Sequence, residues 1–415
     1  MGPIARSTLR TSAVLGLRLL IQAGTLLVIA RMLGPDQYAA FAGIAALAVL
    51  LGTFSTFGTH LVLFAEVAKD PERRSHVLSY AVPTTLITGS ILFFVYIASY
   101  LLFFQNIGLS GSIIFCIGLT ETILLPLFLI PATEELALEK TARSQLLMIF
   151  PLALRTLAAF VVMLLAVSHP LVVFAWLYLI SAVVALFCMK WYKQNAWLHP
   201  HQWQLATPPQ LKHSAGYATL ALTAAGPSEL DKMLAVKLLP LGIGGLYIAA
   251  SRVVGAATLP VTALLLAALP RLFRGQLETK AQLERLNRWI LVSVLVYGVI
   301  LAGLLWLFAP WVEWLFGQQY QGITQILQWL CWVVPALALR LSLASMLMAV
   351  DRPWARARVE IFGMFALVIG AVIFYPLLGV VGMIWALAIS EWGMVVSSGF
   401  LVSKNTLKRK HYNGN

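Results

Sequence analysis

Glu229, Asp231 and Lys232 fall within one helical turn of TAAGPSELDKMLAVKLLP, residues 223–240, a stretch otherwise apolar enough to cross a membrane. Such a trio can neutralise itself, hold a small cation or exchange a proton. Glu229 and Lys232 are three residues apart, share a helix face and can pair there. Asp231 lies about 200° round from Glu229 at roughly 100° per residue, so it looks toward a different neighbour. That neighbour is Arg252, Glu391 or a cation. An Asp231–Arg252 contact would be a structural salt bridge. An approach of Asp231 to Glu391 would set two like charges against each other and create a site that takes up a proton or sodium ion and discharges it on each cycle. The sequence leaves both readings open.

Other charges are equally out of place. Arg18, Arg155, Arg252 and Arg340 lie well inside four different apolar runs, Glu121 and Glu391 inside two more, and Glu360 near the inner end of one. Each charge at mid-bilayer costs about 2.5–3.5 kcal/mol on insertion scales. These groups must therefore face one another or water. None of the four arginines has an acid within a helical turn, and a guanidinium keeps its proton and grips phosphate through a bidentate fork. Their convergence would make an anion site. Gly226 and Pro227 stand directly before the acidic cluster, and the proline interrupts the helical hydrogen bonds where ion binding can couple to movement. No metal site is expected: Cys116, Cys188 and Cys331 show no CxxC spacing, and His199 and His201 have no further ligand nearby. No G-x-x-x-x-G-K-[ST] phosphate loop occurs, so no nucleotide or other cofactor is expected beyond a coupling H+ or Na+.

The elements that position these residues are membrane helices. Of 415 residues, 60% are hydrophobic and 11% charged, against about 25% charged in soluble domains. Hydropathy places spans near 11–30, 39–64, 78–104, 111–133, 145–167 and 170–191, then near 214–237, 242–269, 289–312, 324–349, 357–377 and 380–403. Each is long enough to cross about 30 Å of hydrocarbon as a helix. The second, third and eighth are long enough to tilt, kink or protrude. The first follows the basic start MGPIARSTLR without an A-x-A cleavage site, so it is read as a retained span.

The basic residues test this map, because Lys and Arg of short loops stay cytoplasmic. Most of the 29 fall at the two ends and in alternate connections, such as Lys69, Arg73 and Arg74, then Lys140 and Arg143, then Arg271 and Arg274. The opposite connections QNIGLS, SHP and PLLGVV carry none. An even number of spans with both termini cytoplasmic follows. The net charge of +13 is thus explained by topology, and nucleic acid need not be invoked. The tail TLKRK would attract anionic lipid headgroups.

The longest polar connection, KQNAWLHPHQWQLATPPQLKH, divides the chain into an N-terminal six-helix lobe (1–192), a cytoplasmic linker (193–213), a C-terminal six-helix lobe (214–403) and a basic tail (404–415). ARMLGPDQYAAFAGIAALAVLL and VKLLPLGIGGLYIAASRVVGAA echo each other at the start of the two halves. Each has a basic residue, a Gly/Pro break, a Tyr and a small-residue helix, as parallel repeats would.

LVIARMLGPDQYAAFAG, SELDKMLAVKLLPLGIGGLYIAASRVVGAATLPVTALLLAALPRLFR, LFGQQYQGITQILQWL and YPLLGVVGMIWALAISEW, in this order and spacing, resemble the polysaccharide-transporter branch of the MOP superfamily, the Wzx-type flippases of O-antigen and related repeat units. The resemblance implies an all-α integral membrane protein of about twelve transmembrane helices, two six-helix lobes around a central, largely cationic cavity. It also implies a transporter, not an enzyme, that moves an undecaprenyl-diphosphate-linked oligosaccharide across the bacterial inner membrane by ion-coupled alternating access. A polymerase and chain-length proteins of the same pathway are the expected partners. Arg18, Arg155, Arg252 and Arg340 would be cavity cations, and Asp231 the acidic member of the seventh-span motif. A lipid II flippase of the superfamily would carry two further C-terminal spans. A MATE-like multidrug exporter would favour an acidic cavity, and a membrane glycan polymerase or ligase a large outer loop. Those last two are the alternatives to a flippase.

Overall fold

In hydrocarbon a backbone N–H or C=O finds no water, so long apolar runs satisfy themselves as helices. The computed structural model describes residues 3–193, 195–262, 264–265, 280–349 and 353–412, and among them there are helices and turns but no strand. The connection bearing Arg271 and Arg274, and Arg352 in a later connection, both expected to be cytoplasmic, lie outside the described residues.

Contacts divide the chain into two compact units, Met1–Ala225 and Gly226–Asn415. The first holds α1 (Pro3–Ser55), α2 (Thr59–Lys69), α3 (Arg74–Ser99), α4 (Gly111–Leu119), α5 (Leu125–Ala137), α6 (Thr141–Leu165) and α7 (Pro170–Tyr192). Helix α8 (Pro208–Leu238) runs through the division, which falls at the Ala225–Gly226 step just before Pro227 and not in the polar connection. The second unit continues with α9 (Leu241–Ala257), α10 (Lys280–Phe316), α11 (Ile323–Leu330), α12 (Val334–Ala349), α13 (Pro353–Leu378) and α14 (Val380–Tyr412).

Ten helices among the described residues are long and apolar enough to cross a membrane. The expected twelve spans are recovered by two local facts. Gly34 takes φ 69° and ψ 170°, so the first two spans form one helix broken before Pro35. Helix α8, 31 residues long, reaches about 46 Å at 1.5 Å per residue, yet its charged cluster keeps it off an apolarity count. The long second run breaks at Phe57 (φ 48°) and Gly58 (φ 74°) before α2 begins. Gly58 has to be glycine: besides its positive φ, a Cβ there would stand 2.5 Å from the Ala218 nitrogen of α8.

Proline explains several of the remaining contacts. A proline within a helix supplies no N–H to the carbonyl four residues before it, and that oxygen must find another donor. Pro83 in α3 frees the Ser79 carbonyl, which accepts from the Gln204 backbone N–H at 2.9 Å. Pro131 in α5 frees the Leu127 carbonyl, which accepts from Trp197 Nε1 at 2.8 Å. Pro310 in α10 frees the Trp306 carbonyl, which faces Gln328 Nε2 at 3.5 Å. Two of these donors belong to the polar connection 193–213. That connection is therefore seated on α3 and α5, with Trp197, Leu198 and Trp203 against the core of Val62, Leu78, Val82 and Ile130.

The same proline chemistry shapes the turn between α4 and α5. Thr120–Leu124 is wound as a π-helical turn, and Pro126 follows at the position whose missing N–H would serve the Glu121 carbonyl in π spacing or that of Thr122 in α spacing. Gly52 of α1 lies directly on the Glu121 carbonyl, where a Cβ would collide, and at Gly89 of α3 a Cβ would stand 2.5 Å from the Thr122 carbonyl. Two glycines thus bring Cα–H groups onto the Glu121 and Thr122 carbonyls. The turn they clamp carries Glu121.

Candidate functional site

The first unit brings Glu121, Arg155 and a tyrosine absent from the sequence-based candidates into one cluster. Tyr178 of α7 donates its hydroxyl hydrogen to Glu121 Oε1 and accepts from Arg155 Nη1 of α6 at 3.2 Å. The guanidinium also lies over the Tyr178 ring, 4.9 Å from its centroid, a cation–π geometry. The ring is held still: it stacks on Phe174 at 6.1 Å and 4° and meets Phe41 of α1 edge-on at 6.5 Å. Arg155 Nε is buried and has no hydrogen-bond partner among the described residues. The half of the guanidinium able to grip an oxyanion side-on is therefore not committed to the tyrosine.

Arg18 of α1, half-buried, donates from Nη1 to Gln145 Oε1 of α6 at 2.7 Å. Further along the same two helices Thr25 bonds Thr156. Gln145 and Arg155 are ten residues apart on α6, about 15 Å at the helical rise. Arg18 and Arg155 thus sit at different depths and do not share one phosphate.

In the second unit the trio on α8 is more self-contained than its helical angles imply. Lys232 bonds the Ser228 carbonyl, reaches Glu229 at 3.3 Å and lies 3.8 Å from Asp231 Oδ1. One ammonium therefore serves both carboxylates, because the flexible lysine stem spans the angular gap. Asp231 Oδ2 accepts from Ser251 of α9 at 2.9 Å, beside Arg252 in sequence. Asp231 and Glu391 interact electrostatically with each other and with Tyr247 of α9, which is fully buried.

Arg340 departs furthest from expectation. It is buried on α12, and its Nε donates to Glu391 Oε2 of α14 at 2.6 Å. This corrects its reading as an uncommitted cavity cation: its partner is 51 residues away on an adjacent helix, which helical-turn spacing cannot reveal. Glu360 is likewise taken up, by Arg356 one turn before it at 3.0 Å. Among the described residues no cluster of His, Cys, Asp or Glu is built to hold a metal.

Sequence reasoning missed a third cluster. Glu134 and Glu135, both buried at the C-terminal end of α5, gather cations otherwise counted only as topological markers. Glu134 is reached by Arg74 at 2.7 Å and by Lys193 at 2.6 Å. Lys193 also lies 3.2 Å from Glu135, with Lys140 and Arg143 each at 3.9 Å. The doublet in PATEELALEK, at the end of an apolar run and between basic connections, was the available signal.

The fold is like that of solved MOP superfamily transporters. It is similar to an inward-facing multidrug resistance MATE family transporter, with a TM-score of 0.76 at 16% identity over 95% of this chain and 96% of that one. It is similar to the lipid II flippase MurJ in an inward closed conformation, with a TM-score of 0.71 at 15% identity over 96% and 89%. A MOP superfamily transporter from Pyrococcus furiosus, described as having reverse polarity in its binding pocket, gives 0.65 at 17% identity over 97% and 96%. At such identities the likeness carries the fold alone, and the class it defines is a multi-pass α-helical membrane protein of MOP architecture. A sequence-family model for polysaccharide biosynthesis proteins matches residues 4–276, and the chain belongs to that family. No curated protein matches the sequence. Family and fold together give the polysaccharide-transporter branch expected from the motifs.

Proposed function

We propose that the protein is a flippase that moves an undecaprenyl-diphosphate-linked oligosaccharide repeat unit from the inner to the outer leaflet of the cytoplasmic membrane, for surface polysaccharide synthesis. The observation that carries this reading is an arginine held inside a membrane span with guanidinium N–H capacity to spare, in a chain of the polysaccharide biosynthesis family. A diphosphate is the part of such a substrate that lipid rejects most strongly, and a side-on guanidinium replaces its hydration. Arg155 is the leading contact, with Arg18 and Arg252 as further cations. Arg340 is assigned to structure through Glu391.

Coupling to H+ or Na+ is assigned to the buried acids, the α8 group of Glu229, Asp231 and Lys232 together with Glu391 and Glu121. The alternation of basic connections supports inner-membrane insertion with both termini cytoplasmic. Anionic headgroups would hold the basic tail, and a polymerase with its chain-length proteins would receive the flipped unit.

A MATE-like cation exporter is less well supported. Glu121, Asp231 and Glu391 are each engaged by Tyr178, Ser251 with Lys232, and Arg340, so none offers an uncompensated carboxylate to an organic cation. The polymerase alternative is opposed by the short outer connections QNIGLS and SHP. The test is a leaflet-specific assay of lipid-linked oligosaccharide in cells lacking the protein. Accumulation on the cytoplasmic face is expected; accumulation of unpolymerised units outside would point to a polymerase instead.

A further inference from the structure

The Glu121–Tyr178–Arg155 cluster has a feature that a plain salt bridge lacks. A tyrosine hydroxyl stands between the acid and the base, donating to Glu121 and accepting from Arg155. A phenol has one hydrogen to donate and accepts through oxygen lone pairs. With Glu121 ionised, the hydroxyl hydrogen points to the carboxylate, and the negative charge behind it compensates Arg155. With Glu121 protonated, the carboxyl O–H becomes the donor to the Tyr178 oxygen, and the phenolic hydrogen is released from the acid. The charge behind Arg155 disappears at the same moment.

We propose that Glu121, Tyr178 and Arg155 form a proton-linked diphosphate site, in which proton uptake by Glu121 strengthens the grip of Arg155 on an anionic headgroup through Tyr178. The proposal rests on the reading of the substrate as a lipid diphosphate and adds which residues tie its binding to a proton. The two events are reciprocally coupled: bound anion also favours the protonated acid.

The surroundings of Glu121 support this assignment. Tyr96 of α3 interacts with it electrostatically, α7 presents Tyr178, and α6 adds Arg155 through the tyrosine. α1 contributes the Gly52 backbone, with Tyr38 buried one turn before Phe41. The π-helical turn and its two glycines fix the Glu121 backbone, and Phe174 with Phe41 fixes the phenol. The hydrogen positions are then the degree of freedom that a proton changes.

The experiment is calorimetric binding of farnesyl diphosphate to the purified full-length protein in nanodiscs, across about pH 5 to pH 8. Wild-type affinity is expected to rise as pH falls by at least about fivefold more than in Glu121→Gln, which stays tight throughout and corrects for titration of the ligand itself. Tyr178→Phe retains both charges and the ring but loses the relay, so it binds with a flattened pH response. Arg155→Ala loses binding at every pH. A wild-type pH response equal to that of Glu121→Gln, with binding still dependent on Arg155, would overturn the proton linkage and leave the anionic substrate standing. An affinity unaffected by Arg155→Ala would overturn the linkage together with the diphosphate reading beneath it.

Discussion

The Arg340–Glu391 pair gives the sharpest energetic test of which arginines serve structure. The two side chains are 8% and 2% exposed, and Nε lies 2.6 Å from Oε2. At that distance and an effective dielectric of about 20 the attraction is about 6 kcal/mol, an upper bound because each charge is spread over its group. Desolvation of both ions offsets much of it. Truncating one partner does not return that cost, since the other charge remains buried, so Arg340→Met or Glu391→Leu alone is expected to destabilise the second unit by about 3–5 kcal/mol. The double variant removes both charges and should fall within about 1–2 kcal/mol of wild type. The assay is reversible denaturation of the purified protein in mixed micelles, combined as a double-mutant cycle and read beside transport by the same variants. Additive single effects would refute the pairing. A stable double variant that transports nothing would show that Arg340 acts on substrate after all.

Other expectations concern the first unit and the topology. Trp197→Phe should cost about 1–3 kcal/mol by stranding the Leu127 carbonyl, and clearly less in a Pro131→Ala background, where residue 131 regains an N–H for that oxygen; equal costs in both, by denaturation, would dismiss the proline explanation of linker seating. Arg155→Ala should lower transport about tenfold or more, with Arg155→Lys intermediate because it keeps the charge and loses the fork, as measured by flux at matched expression. Reporters fused after Lys193 and Leu407 should report cytoplasm and one after Gly317 periplasm; a periplasmic C-terminus would break the alternation of Lys and Arg.

Much of the fold was legible because the bilayer enforces length and apolarity on every span. The run of spans, the Gly34 break and the helix carrying Glu229, Asp231 and Lys232 follow from local sequence. What was not legible depends on neighbours distant in sequence. Arg340 finds Glu391 from the next but one helix, and no spacing rule along one helix can show it. Tyr178 sits in an apolar, aromatic-rich run and carries no charge to mark it, yet it is the group between Glu121 and Arg155. The polar connection looked like a free linker from composition, but its Trp197 and Gln204 supply the donors that Pro131 and Pro83 withhold. The prolines were visible; which carbonyls needed a partner, and who supplied it, required coordinates. Asp231 shows a subtler miss, since helix angles separated it from Lys232 while the lysine stem reached it.

Flipping by the purified protein alone tests the central claim most directly. Undecaprenyl-diphosphate-linked oligosaccharide, reconstituted with the full-length protein into liposomes, would be probed from outside with a membrane-impermeant glycosidase. The account predicts that the enzyme reaches nearly all of the lipid when the protein is present, against roughly half, the outer-leaflet share, in protein-free vesicles or with Arg155→Ala. Cleavage that stops at the outer-leaflet share with the wild-type protein correctly folded in the bilayer, under either direction of an imposed ion gradient, would contradict it.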